Sequence, residues 1–177
     1  MKTFSQLSLW FLTAVLWFPS CHDANSIIER EQKEKAEIEQ FTKEIKSWDK
    51  NSFLKNGVTL EGDPRKLSVK EFYKGIFAEM GVLVDVRTPR EYEQAHIPNA
   101  LSIDFRNENF EDTFSKLDKD VPVFIYCHSG VRSAKATKVL KNMGFKVYNL
   151  AHGFKSWVKF NLPVDGEVDH YGGEEGC

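Results

Sequence analysis

Residues 121–132 read VPVFIYCHSGVR, an apolar run that ends at a cysteine and gives way to a short polar loop. The run from Val121 to Tyr126 is typical of a strand buried on both faces of a parallel sheet. The stretch from Gly130 to Met143 then has the apolar spacing of a helix, and Gly144 is the residue type that commonly follows a helix end. The segment therefore predicts a strand, a tight loop and a helix, with Cys127 at the start of the loop.

The same alternation of strand and helix extends over residues 66–164. Further strands are predicted at 82–86, 100–103 and 147–150, and further helices at 68–78, 110–117 and 153–160. Ser68 and Glu71 form a capping box at the start of the first of these helices. The pattern indicates an α/β domain with a mostly parallel central sheet flanked by helices. Functional sites in such domains lie beyond the carboxyl ends of strands, which is where Cys127 stands.

Cys127 is a candidate nucleophile, because the thiolate is the reactive form of cysteine and this position favours an anion. The start of a helix has partial positive charge, and the N–H groups of residues 128–132 can turn toward a bound anion. Arg132 adds a permanent charge, and Gly130 lets the backbone curl without a side-chain clash. Alternatively, Cys127 could be an unreactive residue that only fills space in the core, as buried cysteines often do. The Cys-x-x-Gly-x-Arg pattern favours the nucleophile over this alternative.

Four motifs in chain order resemble those of the single-domain rhodaneses. YCHSGVRSA at 126–134 resembles the family's active-site loop, and DVRTPREY at 85–92 resembles its Asp-Val-Arg motif. AHIPNA at 95–100 resembles a Gly-His-Ile-Pro-Gly-Ala stretch, and HGFKSWVKFNLPV at 152–164 resembles the closing motif. The departures from the family pattern replace turn glycines and leave the loop intact.

The resemblance implies a rhodanese-like fold and a sulfurtransferase that works through a persulfide on Cys127. The sulfur would come from a small anionic donor such as thiosulfate, with Arg132 holding the sulfite end, and would pass to a thiol or cyanide-like acceptor. The implied persulfide-binding loop consists of His128, Ser129, Gly130, Val131 and Ser133. Asp85 and Arg87 are expected to form a paired network that supports the loop, since buried charges persist when paired. No metal or cofactor is expected, because the three cysteines lack metal-ligand spacing.

Two other functions stay open at this point. A phosphatase or arsenate reductase of the same fold would use a similar loop, but the relatives with that activity have seven residues in it. The six residues from Cys127 to Arg132 favour sulfur as the substrate. The second alternative is a sulfur carrier or sensing module without turnover, in which a helix at residues 26–48 recruits a partner.

The first 21 residues resemble the leader of an exported lipoprotein. Lys2 is their only charge, and the run from Leu7 to Phe18 is broken only by Ser8 and Thr13. Such a basic start and short apolar run are typical of a secretory signal. Cys21 follows the run and is a candidate for lipidation. We expect a protein of the periplasm or cell envelope that is held at the membrane by a lipid anchor, with cleavage nearby and an incidental Cys21 as the alternative.

The segments on either side of the domain are charged. Residues 22–65 form a predicted helical spacer, in which Ser26 is a candidate N-cap and Ile38, Phe41, Ile45 and Trp48 lie on one helix face. Residues 165–177 are acidic and rich in glycine, which predicts a disordered tail. The domain itself has 15 basic and 11 acidic residues, a mild excess that suits a small anionic substrate. The whole-chain charge of -2 does not suggest a nucleic-acid partner.

Overall fold

Four parallel strands form the central sheet of this computed structural model, which describes residues 21–168 and the side chains of 25–168. They are β1 (Val82–Asp85), β3 (Leu101–Ser102), β4 (Val123–Tyr126) and β5 (Val147–Asn149), in the order β3-β1-β4-β5. A separate antiparallel pair joins β2 (Ala95–His96) to β6 (Asp165–Gly166). The described α-helices are α1 (Cys21–Lys46), α2 (Lys50–Asn56), α3 (Val69–Phe77), α4 (Pro89–Gln94), α5 (Phe110–Ser115), α6 (Val131–Asn142) and α7 (Gly153–Lys159), and a short 3-10 helix spans Pro64–Lys66. The predicted α/β class with a parallel sheet is confirmed.

Strand β4 lies inside the sheet, and its side chains alternate between two cores. Phe124 and Tyr126 belong to one core, whereas Val123, Ile125 and Cys127 belong to the other. All five are at most 1% exposed. Burial on both faces accounts for the unbroken apolar run, because a parallel sheet is covered by helices on both sides. Cys127 therefore follows directly from the strand's alternation and enters the core that also contains the buried face of α6.

The compact unit that contains the sheet begins at Ile38. It therefore includes the carboxyl-terminal end of α1. Phe41 is 1% exposed, and its ring lies 6.0, 6.0 and 5.9 Å from the ring centroids of Trp48, Tyr73 and Phe160. These edge-on contacts are a favourable geometry for aromatic pairs. The chain's own core therefore covers Phe41, Ile45 and Trp48 of the predicted apolar face, although α1 ends at Lys46, before Trp48.

Helix α1 begins earlier than the sequence predicted. Its backbone starts at Cys21 and continues through Ser26, so Ser26 is not its N-cap. Residues 21–25 contain no glycine or proline that would interrupt a helix. The predicted leader, residues 1–20, and the side chain of Cys21 lie outside the described part of the chain. Within residues 21–168, every helix is too short or too polar to cross a bilayer.

Short elements that the sequence did not predict complete the fold. Helix α2 follows the N-cap Asp49, and α4 follows the N-cap Thr88, which forms a capping box with Glu91. Strand β6 pairs with β2, so that Asp165 lies opposite His96. The prediction of a disordered tail from residue 165 is thus wrong at its start, because backbone pairing with β2 orders residues that composition alone marks as disordered. Residues 169–177 are outside the described part.

Candidate active site

The loop after β4 curls around the sulfur of Cys127. The Gly130 N–H donates to Sγ over 3.1 Å, and Ser133 Oγ lies 3.5 Å from Sγ and 3.2 Å from the Gly130 carbonyl oxygen. Cys127 is a free thiol, and helix α6 begins at Val131. The first N–H groups of a helix have no acceptor within the helix, and they carry partial positive charge. The loop is therefore suited to an anionic sulfur.

The first turn of α7 fixes the loop from behind. The Phe154 N–H donates to the Cys127 carbonyl over 2.7 Å, and the Lys155 N–H donates to the His128 carbonyl over 3.1 Å. The first N–H groups of α7, which would otherwise be unsatisfied, thus bind the carbonyls of the loop. Because these carbonyls are turned toward α7, their negative ends do not oppose an anion at Cys127 Sγ.

Two glycines make this close approach possible. Gly130 has φ 89°, and Gly153 has φ 60°. A Cβ at Gly130 would lie 3.0 Å from the His152 nitrogen, and one at Gly153 would lie 2.2 Å from the Cys127 carbonyl oxygen. Both positions also have backbone angles that residues with a Cβ rarely adopt. The loop and α7 therefore meet backbone to backbone, with no room for a side chain between them.

Arg132 is held by a carboxylate 41 residues earlier in the chain. Its Nη1 donates to Glu91 Oε2 over 2.7 Å, and its Nη2 donates to Glu91 Oε1 over 2.6 Å. Glu91 also accepts from the N–H and the hydroxyl of Thr88, the N-cap of α4. The hydrogen bond from Arg132 is the main reason that the pKa of Glu91 falls to about 2. The same bond is the main reason that the pKa of Arg132 is raised.

A buried charged pair lies under the loop. Arg87 Nε donates to Asp85 Oδ2 over 2.8 Å, and the two side chains are 4% and 0% exposed. The Arg87 guanidinium also lies 4.3 Å from the centroid of the Phe154 ring. Burial, with the charge of Asp85, raises the pKa of the Tyr126 hydroxyl, which therefore stays protonated. These groups connect β1, β4 and α7 directly beneath the loop, and each buried charge has a partner.

The rim of the loop is exposed. His128, Ser129 and Val131 are accessible to solvent, and Val131 is 61% exposed. Partial burial lowers the pKa of His128, and the charge of Lys155 lowers it further. The neutral imidazole is thereby favoured at the mouth of the site.

The structure brings most of the predicted site residues together. Cys127, Gly130 and Ser133 are in direct contact, Arg132 is within electrostatic reach of the sulfur, and the Asp85–Arg87 pair lies beneath. Sequence analysis did not single out Glu91, Gly153 or Lys155 as parts of the site. The capping-box spacing of Thr88 and Glu91 marks a helix start, but nothing local in the sequence connects Glu91 to Arg132.

Comparisons with known proteins agree on one family. Residues 68–160 match the family described as Rhodanese-like domain. The thiosulfate sulfurtransferase GlpE of Vibrio cholerae is 34% identical over 84 residues, which cover 47% of this chain and 77% of that protein. GlpE of Coxiella burnetii, also named a thiosulfate sulfurtransferase, is 39% identical over 77 residues, or 43% of this chain and 70% of that protein. A rhodanese-related protein from Thermoplasma volcanium matches with a TM-score of 0.53 at 26% identity, over 58% of this chain and 99% of that one.

The contact between α7 and the loop predicts a strong effect of a Gly153→Ala substitution. The new Cβ would lie 2.2 Å from the Cys127 carbonyl oxygen, so the loop or α7 has to move. We expect a loss of more than about 3 kcal/mol in the free energy of unfolding, measured in urea. Gly144→Ala is the matched control, because Gly144 also has a positive φ but its Cβ would meet nothing closer than 3.9 Å. The control should cost about 1–2 kcal/mol, and equal losses in the two variants would contradict the close approach.

The Glu91–Arg132 pair predicts a pH dependence of stability. Because the folded protein lowers the pKa of Glu91, the stabilisation is present above the ordinary value near 4.5 and is lost as pH falls toward about 2. Side-chain exposure of 32% reduces the expected contribution to about 1 kcal/mol. Urea unfolding between pH 7 and pH 3 should show this loss in the unaltered protein but not in Glu91→Gln. Glu93→Gln, at an exposed position on the same helix, should keep the pH dependence of the unaltered protein. An unchanged pH profile in Glu91→Gln would show that the pair contributes nothing.

Proposed function

This chain belongs to the rhodanese-like domain family, and from that premise we propose that it transfers sulfane sulfur through a persulfide on Cys127. The observation that most supports the proposal is the loop itself. The Sγ atom lies at a strand end and accepts a hydrogen bond of 3.1 Å from the Gly130 N–H, at the start of a helix. A nucleophilic cysteine reacts as the thiolate, and the Gly130 N–H lies where it can donate to that sulfur.

The first half of the reaction loads sulfur onto the cysteine. The Cys127 thiolate attacks the outer sulfur of thiosulfate, a new S–S bond forms, and the original S–S bond breaks. The electron pair of the broken bond leaves with sulfite. The product on the protein is a persulfide anion, which the N–H groups of residues 128–132 can stabilise as they would the thiolate.

The second half unloads the sulfur. A thiolate or cyanide attacks the terminal sulfur of the persulfide, and the electron pair of the breaking S–S bond returns to Cys127 Sγ. The acceptor leaves as a persulfide or as thiocyanate, and the thiolate is restored. No net electron transfer to the protein occurs, so the cycle requires no redox cofactor. The two half-reactions form a ping-pong cycle.

In this proposal Ser133 acts on the sulfur of Cys127, and Arg132 binds the sulfur donor. The single hydroxyl proton of Ser133 can be donated to the Gly130 carbonyl or to the sulfur, so it can follow a change of charge on Sγ. Arg132 uses one N–H of Nη1 and one of Nη2 to bind Glu91. Its remaining N–H groups can donate hydrogen bonds to an anionic sulfur donor such as thiosulfate. The bond to Glu91 fixes the direction of the guanidinium, which limits the entropy lost when the donor binds.

The competing functions find less support. The loop has six residues from Cys127 to Arg132, and the wider loop associated with phosphate or arsenate has seven. The helix face that a partner-recruiting module would present contains Phe41, which is buried in the chain's own core. Sulfur transfer by the loop residues is therefore the function that we favour.

The proposal predicts a sulfur adduct on one cysteine. After incubation of the purified chain with thiosulfate, intact mass spectrometry should show a gain of about 32 Da, the mass of one sulfur atom. Peptide mapping should place it on Cys127, with Cys177 as an internal control in the same chain. Adding cyanide should remove the adduct and release thiocyanate. An adduct that persists in Cys127→Ser, or the absence of any adduct on the unaltered chain, would reject the mechanism.

We also propose that this transfer takes place outside the cytoplasm, on a chain anchored by a lipid at Cys21. The support is the short apolar run from Leu7 to Phe18 after a single basic residue. Stable attachment requires more than one acyl chain, because a single chain binds membranes only marginally. Mass spectrometry of the protein isolated from its native membranes should find an amino terminus at an acylated Cys21. An uncleaved terminus, or a cleaved one without acyl groups, would contradict the anchor.

A further inference from the structure

Two guanidinium groups at the candidate site are compensated by partners. The guanidinium of Arg132 is bound at both ends by Glu91. The guanidinium of Arg87 is paired with Asp85 and is almost fully buried. A donor such as thiosulfate brings two negative charges, and neither pair presents a net positive charge to attract it.

Lys155 lies at the edge of the same loop. Its N–H donates to the His128 carbonyl over 3.1 Å, which places the residue one hydrogen bond from the loop that surrounds Cys127. The residue is exposed. Among residues 25–168, no carboxylate lies within ion-pair distance of Lys155. Its ammonium charge is thus uncompensated there, in contrast to the two arginines.

The field of Lys155 reaches the mouth of the site. Among charged groups, Lys155 has the largest effect on His128, although burial comes first in lowering the pKa of that imidazole. Arg87 and Arg132 contribute less, and Glu91 opposes them. The neutral His128 does not compete with Lys155 for an anion.

We propose that Lys155 is a specificity-determining residue, whose uncompensated charge attracts the anionic sulfur donor to Cys127. The inference rests on the sulfur transfer proposed above and names the charge that selects its donor. A cation at the mouth of a cleft raises the local concentration of an anionic substrate. Lys155 does not touch the reacting sulfur in this proposal. Because Lys155 helps only to bind the sulfur donor, its substitution should change KM more than kcat.

Donors of different charge can test this role. Thiosulfate is a dianion, and methanethiosulfonate is a monoanion that gives the same persulfide and releases methanesulfinate. With the thiol acceptor at saturation, Lys155→Gln should lower kcat/KM for thiosulfate about tenfold and for methanethiosulfonate about threefold, with kcat nearly unchanged. Lys155→Arg keeps the charge and should stay within about twofold of the unaltered chain. The loss should shrink as salt is added, because salt screens exposed charges.

Lys141→Gln is the matched control. Lys141 lies in the last turn of α6, about 14 Å along the helix from Arg132. Its substitution should leave kcat/KM for both sulfur donors within about twofold of the unaltered chain. Equal losses for the two donors in Lys155→Gln, or a similar loss in Lys141→Gln, would overturn the assignment. If the unaltered chain turns over thiosulfate and Lys155→Gln behaves in the same way, this inference alone fails. If the unaltered chain turns over neither donor, the proposed function fails with it.

Discussion

The candidate site depends on the backbone contact between the first turn of α7 and the loop that contains Cys127. The hydrogen bond of 2.7 Å from the Phe154 N–H to the Cys127 carbonyl fixes the direction of the first peptide group of the loop. Since a peptide group is planar, a carbonyl that is turned one way sends the next N–H the other way. The concavity around Sγ is therefore set by backbone N–H groups of α7. Gly153 is the point where the two backbones meet.

Charge is distributed around this contact in a graded way. The Asp85–Arg87 pair beneath the loop is fully buried, the Glu91–Arg132 pair beside it is partly exposed, and Lys155 is at the rim. Buried charges require partners because their loss of hydration is costly, whereas a charge at the rim keeps its water. The arrangement stabilises the loop with neutral pairs and leaves Lys155, which has no ion-pair partner among the described residues, at the exposed rim.

The sheet positions the loop by simple alternation. Along β4, side chains point in turn to the core that contains Trp157 and to the core beneath α6. Cys127 is the next residue in this order, so its sulfur points toward the start of α6 and not toward α7. On the other face, Phe41 closes the core with a helix from outside the predicted domain. The domain boundary that motifs suggest therefore leaves out an element that the core includes.

The sequence alone determined those features that depend on neighbouring residues. The apolar run ending at Cys127, the turn at Gly130 and the helix start after it follow from local periodicity and backbone preference. They place Cys127 directly after a strand and before a helix, and the structure agrees. The tertiary structure decided which distant groups meet. Glu91 and Arg132 are 41 residues apart, and β2 pairs with β6 across most of the domain. Such contacts depend on how whole elements pack, which a local sequence pattern does not specify. A capping glutamate has the same local sequence whether or not an arginine lies opposite it. An acidic tail likewise has the same composition whether or not it pairs with a strand.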